Sequence, residues 1–178
     1  MNLDILLKIT YSFVILSFIM IFGYIEKFDI DFDIVYGEEY TFFKTWGSVG
    51  TSDGQFMLPH SLAIDIYGNI YVTDTGNNRV QKFNSDGSFI TKWGDEGSAD
   101  GQFSQLHDIA VHHNGKFIYT LELDNHRVQK FFPNGTFISK FGYEETDGDG
   151  QKRSPHQLYV DFSGNIYLTD RRNSEILK

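Results

Sequence analysis

A repeat of about 48 residues organises most of this chain and constrains its fold more than any other feature. The register is strict, because Tyr71, Tyr119 and Tyr167 follow one another at intervals of 48 residues. Self-similarity at a fixed period is typical of solenoids, propellers and other arrays in which each repeat is one supersecondary unit. The three copies are Asp53–Phe83, Asp100–Phe131 and Asp149–Lys178.

Each copy is predicted to contain four short β-strands. In the first copy, turns rich in Gly, Asn and Asp separate four runs of β-forming residues. The runs are Ser61–Ile66, Ile70–Thr73, Val80–Phe83 and Ser88–Trp93. After residue 40 no segment has the 3.6-residue apolar period of a helix. Four-stranded antiparallel sheets repeated around an axis form a β-propeller, so the predicted fold class is all-β.

The motifs that recur in each copy resemble a known family. GQF-x-x-PH, GNIY-[VL]-TD, N-x-R-[VI]-QKF and GxFI-x-K-[WF]-G appear in order and in register over residues 41–178. They resemble the NHL repeat, and that resemblance implies a six-bladed propeller.

Residues 41–178 account for about half of such a ring. Thr41–Gly47 resembles the outer strand of a blade, two full blades follow, and the third copy stops within its third strand at Lys178. The interpretation we favour is that the chain is part of a longer polypeptide. The alternative is a homodimer with three blades from each chain, in which Thr41–Gly47 of one chain completes the last blade of the other.

Residues 1–28 are predicted to form a signal anchor or transmembrane helix, followed by an acidic linker over residues 29–40. Ile9–Ile25 is a run of 17 uncharged residues, the lower limit for spanning a bilayer. Lys8, on its N-terminal side, favours a cytoplasmic N-terminus. We therefore expect a single-pass cell-membrane protein with an extracytoplasmic propeller. A cleaved signal peptide, and hence secretion, is the alternative, although no small-x-small cleavage site follows the run.

Composition narrows the classes of function and partner. The chain has no cysteine, which excludes disulfides, thiol catalysis and cysteine-ligated zinc modules. Residues 40–178 carry 13 basic and 17 acidic side chains, and the basic residues are scattered. Nucleic acid is not expected as a partner, because its phosphates require a concentrated basic face.

Three histidines in equivalent positions are the candidate metal ligands. His60, His107 and His156 each stand just before the innermost strand, so their imidazoles are expected to meet at one end of the channel. Three imidazoles with an open fourth position can hold a catalytic zinc ion. Polar residues that merely line the channel entrance would show the same pattern. His112, His113 and His126 are out of register and are expected on the surface.

The segment GQFMLPHSLA also resembles the zinc-histidine segment of the peptidyl-α-hydroxyglycine α-amidating lyase, itself a six-bladed propeller. This resemblance implies that His60 is a zinc ligand, with His107 and His156 in equivalent positions.

A second polar set recurs at the turn after the second strand of each copy. A carboxylate and an Asn three residues later can bond the free N–H groups of a tight turn, and an Arg two residues further can reach the carboxylate bidentately. We interpret the set as structural ties, with Glu175 replacing the Arg in the third copy. The predicted tie residues are Asp74, Asn77, Arg79, Glu122, Asn125, Arg127, Asp170 and Asn173. The aromatic-Gly pairs that end the outer strands, such as Trp93-Gly94, are expected to pack between sheets.

The function predicted from these observations is that of a membrane-tethered, extracytoplasmic NHL-repeat propeller acting as a binding or scaffold module. Its ligand, a protein or a small molecule, is expected at one end of the channel, where loops differ between blades. No cofactor is expected. The alternative is a zinc-dependent lyase that uses the three histidines.

Overall fold

The computed structural model describes residues 44–143, 146, 150 and 153–178. Lys44–Lys178 forms one compact unit. The predicted anchor (residues 1–28) and acidic linker (residues 29–40) lie outside the described residues. Within the described part of the chain, no helix is long and apolar enough to cross a membrane.

Among the described residues, eleven strands form three antiparallel sheets, each with its strands in sequence order. We call these sheets the first, second and third blades. The first blade contains β1 (Pro59–Ile64), β2 (Ile70–Asp74), β3 (Arg79–Phe83) and β4 (Phe89–Trp93). The second contains β5 (Leu106–Val111), β6 (Ile118–Glu122), β7 (Arg127–Phe131) and β8 (Phe137–Gly142). The third contains β9 (Pro155–Val160), β10 (Ile166–Asp170) and β11 (Glu175–Leu177).

The all-β prediction with four-stranded antiparallel blades is confirmed. The single helical turn among the described residues is the 3₁₀ turn Thr75–Asn77. An outer strand was predicted over Thr41–Gly47. The structure describes Lys44–Gly47 of this segment, and these residues belong to no strand. Trp46 nevertheless packs on Phe83, with ring centroids 6.3 Å apart.

An aspartate closes the hairpin turn between the first two strands of the first and third blades. Asp65 accepts hydrogen bonds from the backbone N–H groups of Tyr67 and Asn69 and from the Tyr71 hydroxyl. Burial raises the pKa of Asp65, but the hydrogen bonds from Asn69, Tyr71 and Tyr67 outweigh it and leave that pKa below its usual value. Asp161 makes the equivalent bonds in the third blade, and those from Asn165 contribute most to lowering its pKa to about 2.

His112 takes the position of this aspartate in the second blade, so its predicted surface location is wrong. Its side chain is buried, and the backbone N–H of Asn114 donates to its Nδ1 at 3.3 Å. His113 is exposed as expected, and it stacks on Phe162 with centroids 4.4 Å apart.

The apolar core lies between consecutive blades. Tyr71 and Val80 of the first blade pack with Ile109 and Ile118 of the second in one buried cluster. A second cluster joins the second blade to the third in the same way. Because each blade covers one face of the next, the inner strands β1, β5 and β9 lie side by side along the channel.

The predicted packing of the aromatic-Gly pairs between sheets is confirmed for Trp93. Its ring lies 5.9 Å from that of Phe131, in the next blade. A Cβ added to Gly135, in the same blade as Phe131, would approach Trp93 to 2.8 Å. Gly135 has a φ of +87°, so glycine both fits the backbone conformation and leaves room for the indole.

Candidate functional site

The three histidines at the start of the inner strands meet at one end of the channel. The ring centroids of His60 and His107 are 3.9 Å apart, and those of His107 and His156 are 4.7 Å apart. His60 and His156 are separated by 6.2 Å. Equivalent positions in three adjacent blades therefore converge on one cluster, which we call the histidine cluster.

His107 is the central member of the cluster and is held in its neutral form. Burial lowers its pKa to about 4, and the charges of His60 and His156 contribute in the same direction. Its Nε2 is buried and has no hydrogen-bond partner among the described residues. His60, which is exposed, donates from Nδ1 to the backbone carbonyl oxygen of His107 at 2.9 Å. That bond assigns the ring proton of His60 to Nδ1.

This arrangement fits a zinc ion poorly. Three imidazoles that share one zinc must direct a nitrogen to a common point about 2.0–2.1 Å from each. The rings of His60 and His107 instead overlap, at an interplanar angle of only 33°. In the part of the chain that the structure describes, no group of three His, Asp or Glu residues has a geometry suited to a metal ion.

Asp108, directly after His107, joins the inner strands of all three blades. Its carboxylate accepts hydrogen bonds from the Ser61 hydroxyl and from the backbone N–H of Ile109 and Leu158, the last at 2.6 Å. Asp108 also lines a groove whose other residues include Ser61 of the first blade and Gln157 of the third. Sequence reasoning missed this residue, because Ser61 and Gln157 occupy the equivalent positions and no repeat signal marks it.

The predicted turn residues of the first blade meet in a buried network. Nε of Arg79 donates to the Asp74 carboxylate at 2.7 Å, and Nδ2 of Asn77 donates to the same carboxylate at 2.8 Å. A bidentate contact between Arg79 and Asp74 was predicted, but only Nε of Arg79 bonds the Asp74 carboxylate. The other guanidinium nitrogens donate to the backbone carbonyl oxygens of the loop that precedes β1, at residues 51, 52 and 55. Gln81, which sequence reasoning missed, also donates to Asp74 and ties the same loop.

The second blade repeats the network through Glu122, Asn125 and Arg127, again with an Arg Nε to carboxylate distance of 2.7 Å. In the third blade Asn173 donates to Asp170, and Glu175 stands where the arginine would be. Arg153 approaches Asp170 from the preceding loop instead, with 3.8 Å between Nη1 and Oδ2. All three networks hold turns and loops within single blades, whereas the histidine cluster joins blades.

A family model agrees with this architecture. It is that of the NHL repeat, and it matches residues 56–83, which cover the first three strands of the first blade. This match supports an NHL-repeat propeller family for the chain. NHL repeat-containing protein 3 of Homo sapiens is 42% identical to it over 40 residues, and Protein wech of Drosophila melanogaster is 46% identical over 44 residues. These alignments cover 22% and 25% of this chain, but only 12% and 5% of the two relatives.

Solved structures with low sequence identity share the fold. An exported protein of Bacteroides fragilis superposes with a TM-score of 0.53 at 16% identity, covering 70% of this chain and 33% of its own. Virginiamycin B lyase from Staphylococcus aureus superposes with a TM-score of 0.50 at 14% identity, covering 66% of this chain and 36% of its own. At such identities the likeness concerns the fold alone.

Proposed function

We propose that this NHL-repeat chain is a binding or scaffold module, an arc of a six-bladed ring, that takes its ligand at the channel end carrying the histidine cluster. The observation that carries this proposal is the convergence of three imidazoles from three blades on one partly exposed point. A neutral imidazole offers a hydrogen-bond donor, an acceptor and an aromatic surface, which suit a protein segment or a small polar molecule.

The histidine cluster also contains a buried nitrogen that no described residue pairs with. The turn networks of the first two blades are buried and hydrogen-bonded within single blades, and the carboxylate of Asp108 bonds the inner strands. In contrast, Nε2 of His107 has no hydrogen-bond partner among the described residues. Because that atom is buried, a ligand reaches it when the His60 or His156 ring moves aside, and pairing then relieves the cost of a buried unpaired group.

Site-specific photo-crosslinking tests the location of the ligand. A benzophenone amino acid at position 60 should capture a discrete partner in the native membrane or cell extract, and the product should disappear when His107 and His156 are replaced by Ala. The matched control places the same probe at His113, which follows the opposite end of the inner strand β5. Identical products at positions 60 and 113, or a product insensitive to the two replacements, would refute the assignment.

We also propose that the module is tethered to the cell membrane on its extracytoplasmic side. The support is the uncharged run Ile9–Ile25 with Lys8 before it. The full chain should remain in the membrane pellet after alkaline carbonate washing and be released by detergent. Recovery of uncleaved chain in the soluble fraction would contradict the tether, and a shortened soluble chain would indicate cleavage and secretion.

The second candidate is a zinc-dependent lyase, and the unpartnered Nε2 of His107 beside two further imidazoles favours it. His60 would have to leave its hydrogen bond to the His107 carbonyl before the three rings could share an ion. Titration of the metal-free chain with Zn²⁺ by calorimetry tests the candidate. One high-affinity site that is lost on replacing all three histidines by Ala would support it, and unchanged heats in that variant would exclude the cluster as the site.

A further inference from the structure

One turn of the second blade carries an acceptor sequence for asparagine-linked sugars. Asn134-Gly135-Thr136 lies in the turn between β7 and β8, and it is the one Asn-x-Ser/Thr triplet in the whole sequence. Such a triplet is the acceptor of N-linked oligosaccharides in proteins that enter the secretory pathway. Triplets of this kind also arise by chance, so the structure of the turn decides whether this one can carry a sugar.

The turn presents the acceptor side chain to solvent. The backbone N–H of Gly135 donates to the carbonyl oxygen of Phe132, and that of Phe132 donates to the carbonyl oxygen of Thr136, both at 2.9 Å. Gly135 takes the positive φ that this five-residue turn needs before its last position. Asn134 and Thr136 are exposed. The N–H of Thr136 donates to Oδ1 of Asn134 at 3.0 Å, and Nδ2, the atom that would bear the sugar, bonds no described residue.

An exposed aromatic ring stands beside the acceptor. Phe131 pairs with Phe137 across the two strands, so Phe132 and Thr136 form the next cross-strand pair and project from the same face. Phe132 is 46% exposed, although its ring also contacts that of Phe117 at a centroid distance of 6.1 Å. A pyranose ring has a face of C–H groups, and packing this face on Phe132 removes apolar surface of both from water.

A groove beside the turn offers room for the first sugars of a glycan. Its volume is about 500 Å³, and it runs between the outer strand of the first blade and the turn of the second. The residues that line it are Lys82, Ile90, Thr91, Phe132, Pro133 and Asn134. Ile90 is 47% exposed, so the groove offers apolar contacts on both of its sides and a hydroxyl group at Thr91.

The equivalent turn of the first blade has the same backbone but neither the acceptor nor the aromatic ring. Asp86, Gly87 and Ser88 take the positions of the triplet, and the N–H of Ser88 donates to Oδ1 of Asp86 at 2.8 Å. Gly87 has a φ of +84°, close to the +87° of its counterpart in the second blade. Asn84 stands at the position of Phe132. The first blade therefore supplies a matched control within the same chain.

We propose that Asn134 carries an N-linked glycan whose first sugar packs on Phe132. The glycan rests on the proposed extracytoplasmic location of the blades, because its transfer takes place inside the secretory pathway. The co-reactant is an oligosaccharide linked through diphosphate to a lipid. Nδ2 of Asn134 forms a bond to the anomeric carbon of the sugar while the bond from that carbon to the diphosphate oxygen breaks. The nitrogen gives up one proton, and the lipid diphosphate leaves.

The position of this turn leaves the proposed ligand site accessible. Phe131 pairs with Ile118, and Ile118 pairs with Val111 at the far end of β5 from His107. The glycan therefore stands at the opposite end of the blade from the histidine cluster. It would cover the exposed ring at this end without competing with a ligand at the other.

Translation of the full chain in the presence of endoplasmic-reticulum microsomes tests the proposal. The unmodified chain should gain one glycan, seen as a mobility shift that a peptide N-glycosidase reverses, and mass spectrometry should then find aspartate at position 134. Asn134→Gln should abolish the shift, and so should Thr136→Val, which keeps the amide but removes the hydroxyl of the triplet. Asp86→Asn creates an Asn-Gly-Ser triplet in the first blade and should add a second glycan, which reports that the blades have entered the lumen.

The outcomes separate the glycan from the location of the chain. A glycan on the Asp86→Asn variant but none on the unmodified chain would overturn the proposal and leave the extracytoplasmic location standing. Absence of glycan from both would overturn the glycan and the location together. A shift that survives in Asn134→Gln would also overturn the proposal. Failure to capture a ligand at position 60 would leave the glycan in place, so a failed binding function is recognisable separately.

Thermal unfolding of the glycosylated chain measures the contact with Phe132. Removing the glycan enzymatically should lower the melting temperature, because the ring loses its cover. The same treatment of Phe132→Ala should leave the melting temperature unchanged. An equal decrease in the variant would show that the sugar does not pack on this ring.

Discussion

Replacing Arg127 by Met should destabilise the protein strongly, although Arg127 lies in a turn network within one blade. The guanidinium Nε bonds the Glu122 carboxylate at 2.7 Å, and both side chains are buried, with 7% and 0% exposed. The remaining nitrogens donate to three backbone carbonyl oxygens of the loop before β5, at Ser98, Ala99 and Gln102. Methionine fills similar space but leaves the carboxylate uncompensated and the loop untied.

The expected loss follows from the burial of Glu122. Removing one partner of a buried ion pair costs about 3–5 kcal/mol. Asn125 and Gln129 still donate to this carboxylate at 2.6 and 2.7 Å, so we expect the lower limit, about 3 kcal/mol. The same blade offers a matched control, because Lys140 and Asp100 form an ion pair of the same 2.7 Å length with 45% and 53% of their side chains exposed. Replacing Lys140 by Met should cost about 0–1 kcal/mol.

Urea unfolding of the full chain, followed by tryptophan fluorescence, measures both losses. Trp93 reports on the second blade directly, because its ring contacts Phe131. With an m-value of about 1–3 kcal/mol/M, a loss of about 3 kcal/mol lowers the unfolding midpoint by about 1–3 M at constant m. The reasoning fails if Arg127→Met loses less than about 1 kcal/mol, or if Lys140→Met loses as much as Arg127→Met does.

Three further predictions concern the channel and the blade contacts. By NMR, the His107 ring should titrate near pH 4. The unfolded chain takes up a proton on this imidazole more readily than the folded chain does. The contribution of the neutral His107 ring to stability is therefore complete above pH 6.5 and is lost as the pH falls toward 4. A titration midpoint near 6.5 would contradict this. Gly135→Ala should lower the melting temperature more than Gly101→Ala, since both have positive φ but only the former meets Trp93; equal shifts would refute the packing argument. Asp108→Ala should cost about 1–3 kcal/mol and speed amide exchange in β9, and unchanged exchange would show that the carboxylate does not hold that strand.

The repeat register predicted the strands well but not all of their limits. The inner strand of the first blade was placed at Ser61–Ile66, whereas β1 covers Pro59–Ile64. The strand begins earlier because Pro59 pairs with Asp74 across an irregularity in register. An alternation of side chains does not reveal such an irregularity, since the extra residue breaks the period of two.

The repeat register correctly predicted that the three histidines lie close together, but it could not predict the orientation of their rings. The overlap of His60 and His107 depends on the distance between two inner strands and on a hydrogen bond to a backbone carbonyl. Neither is encoded in the spacing of repeats. Asp108 was not predicted as a functional residue, because a repeat comparison finds residues that the blades share. This carboxylate is present in the second blade alone, with Ser61 and Gln157 at the equivalent positions.

The arginines of the first two blades bond to the main chain of their loops, and such bonds survive when the loop sequences diverge. Arg79 holds the carbonyl oxygens of Thr51 and Ser52, and Arg127 holds those of Ser98 and Ala99, in the same geometry. Every residue presents a backbone carbonyl, so the bonds to the arginine do not depend on which side chains stand at positions 51, 52, 98 and 99. After duplication, the exposed side chains of such a loop can therefore change while the arginine still holds the loop backbone against its blade.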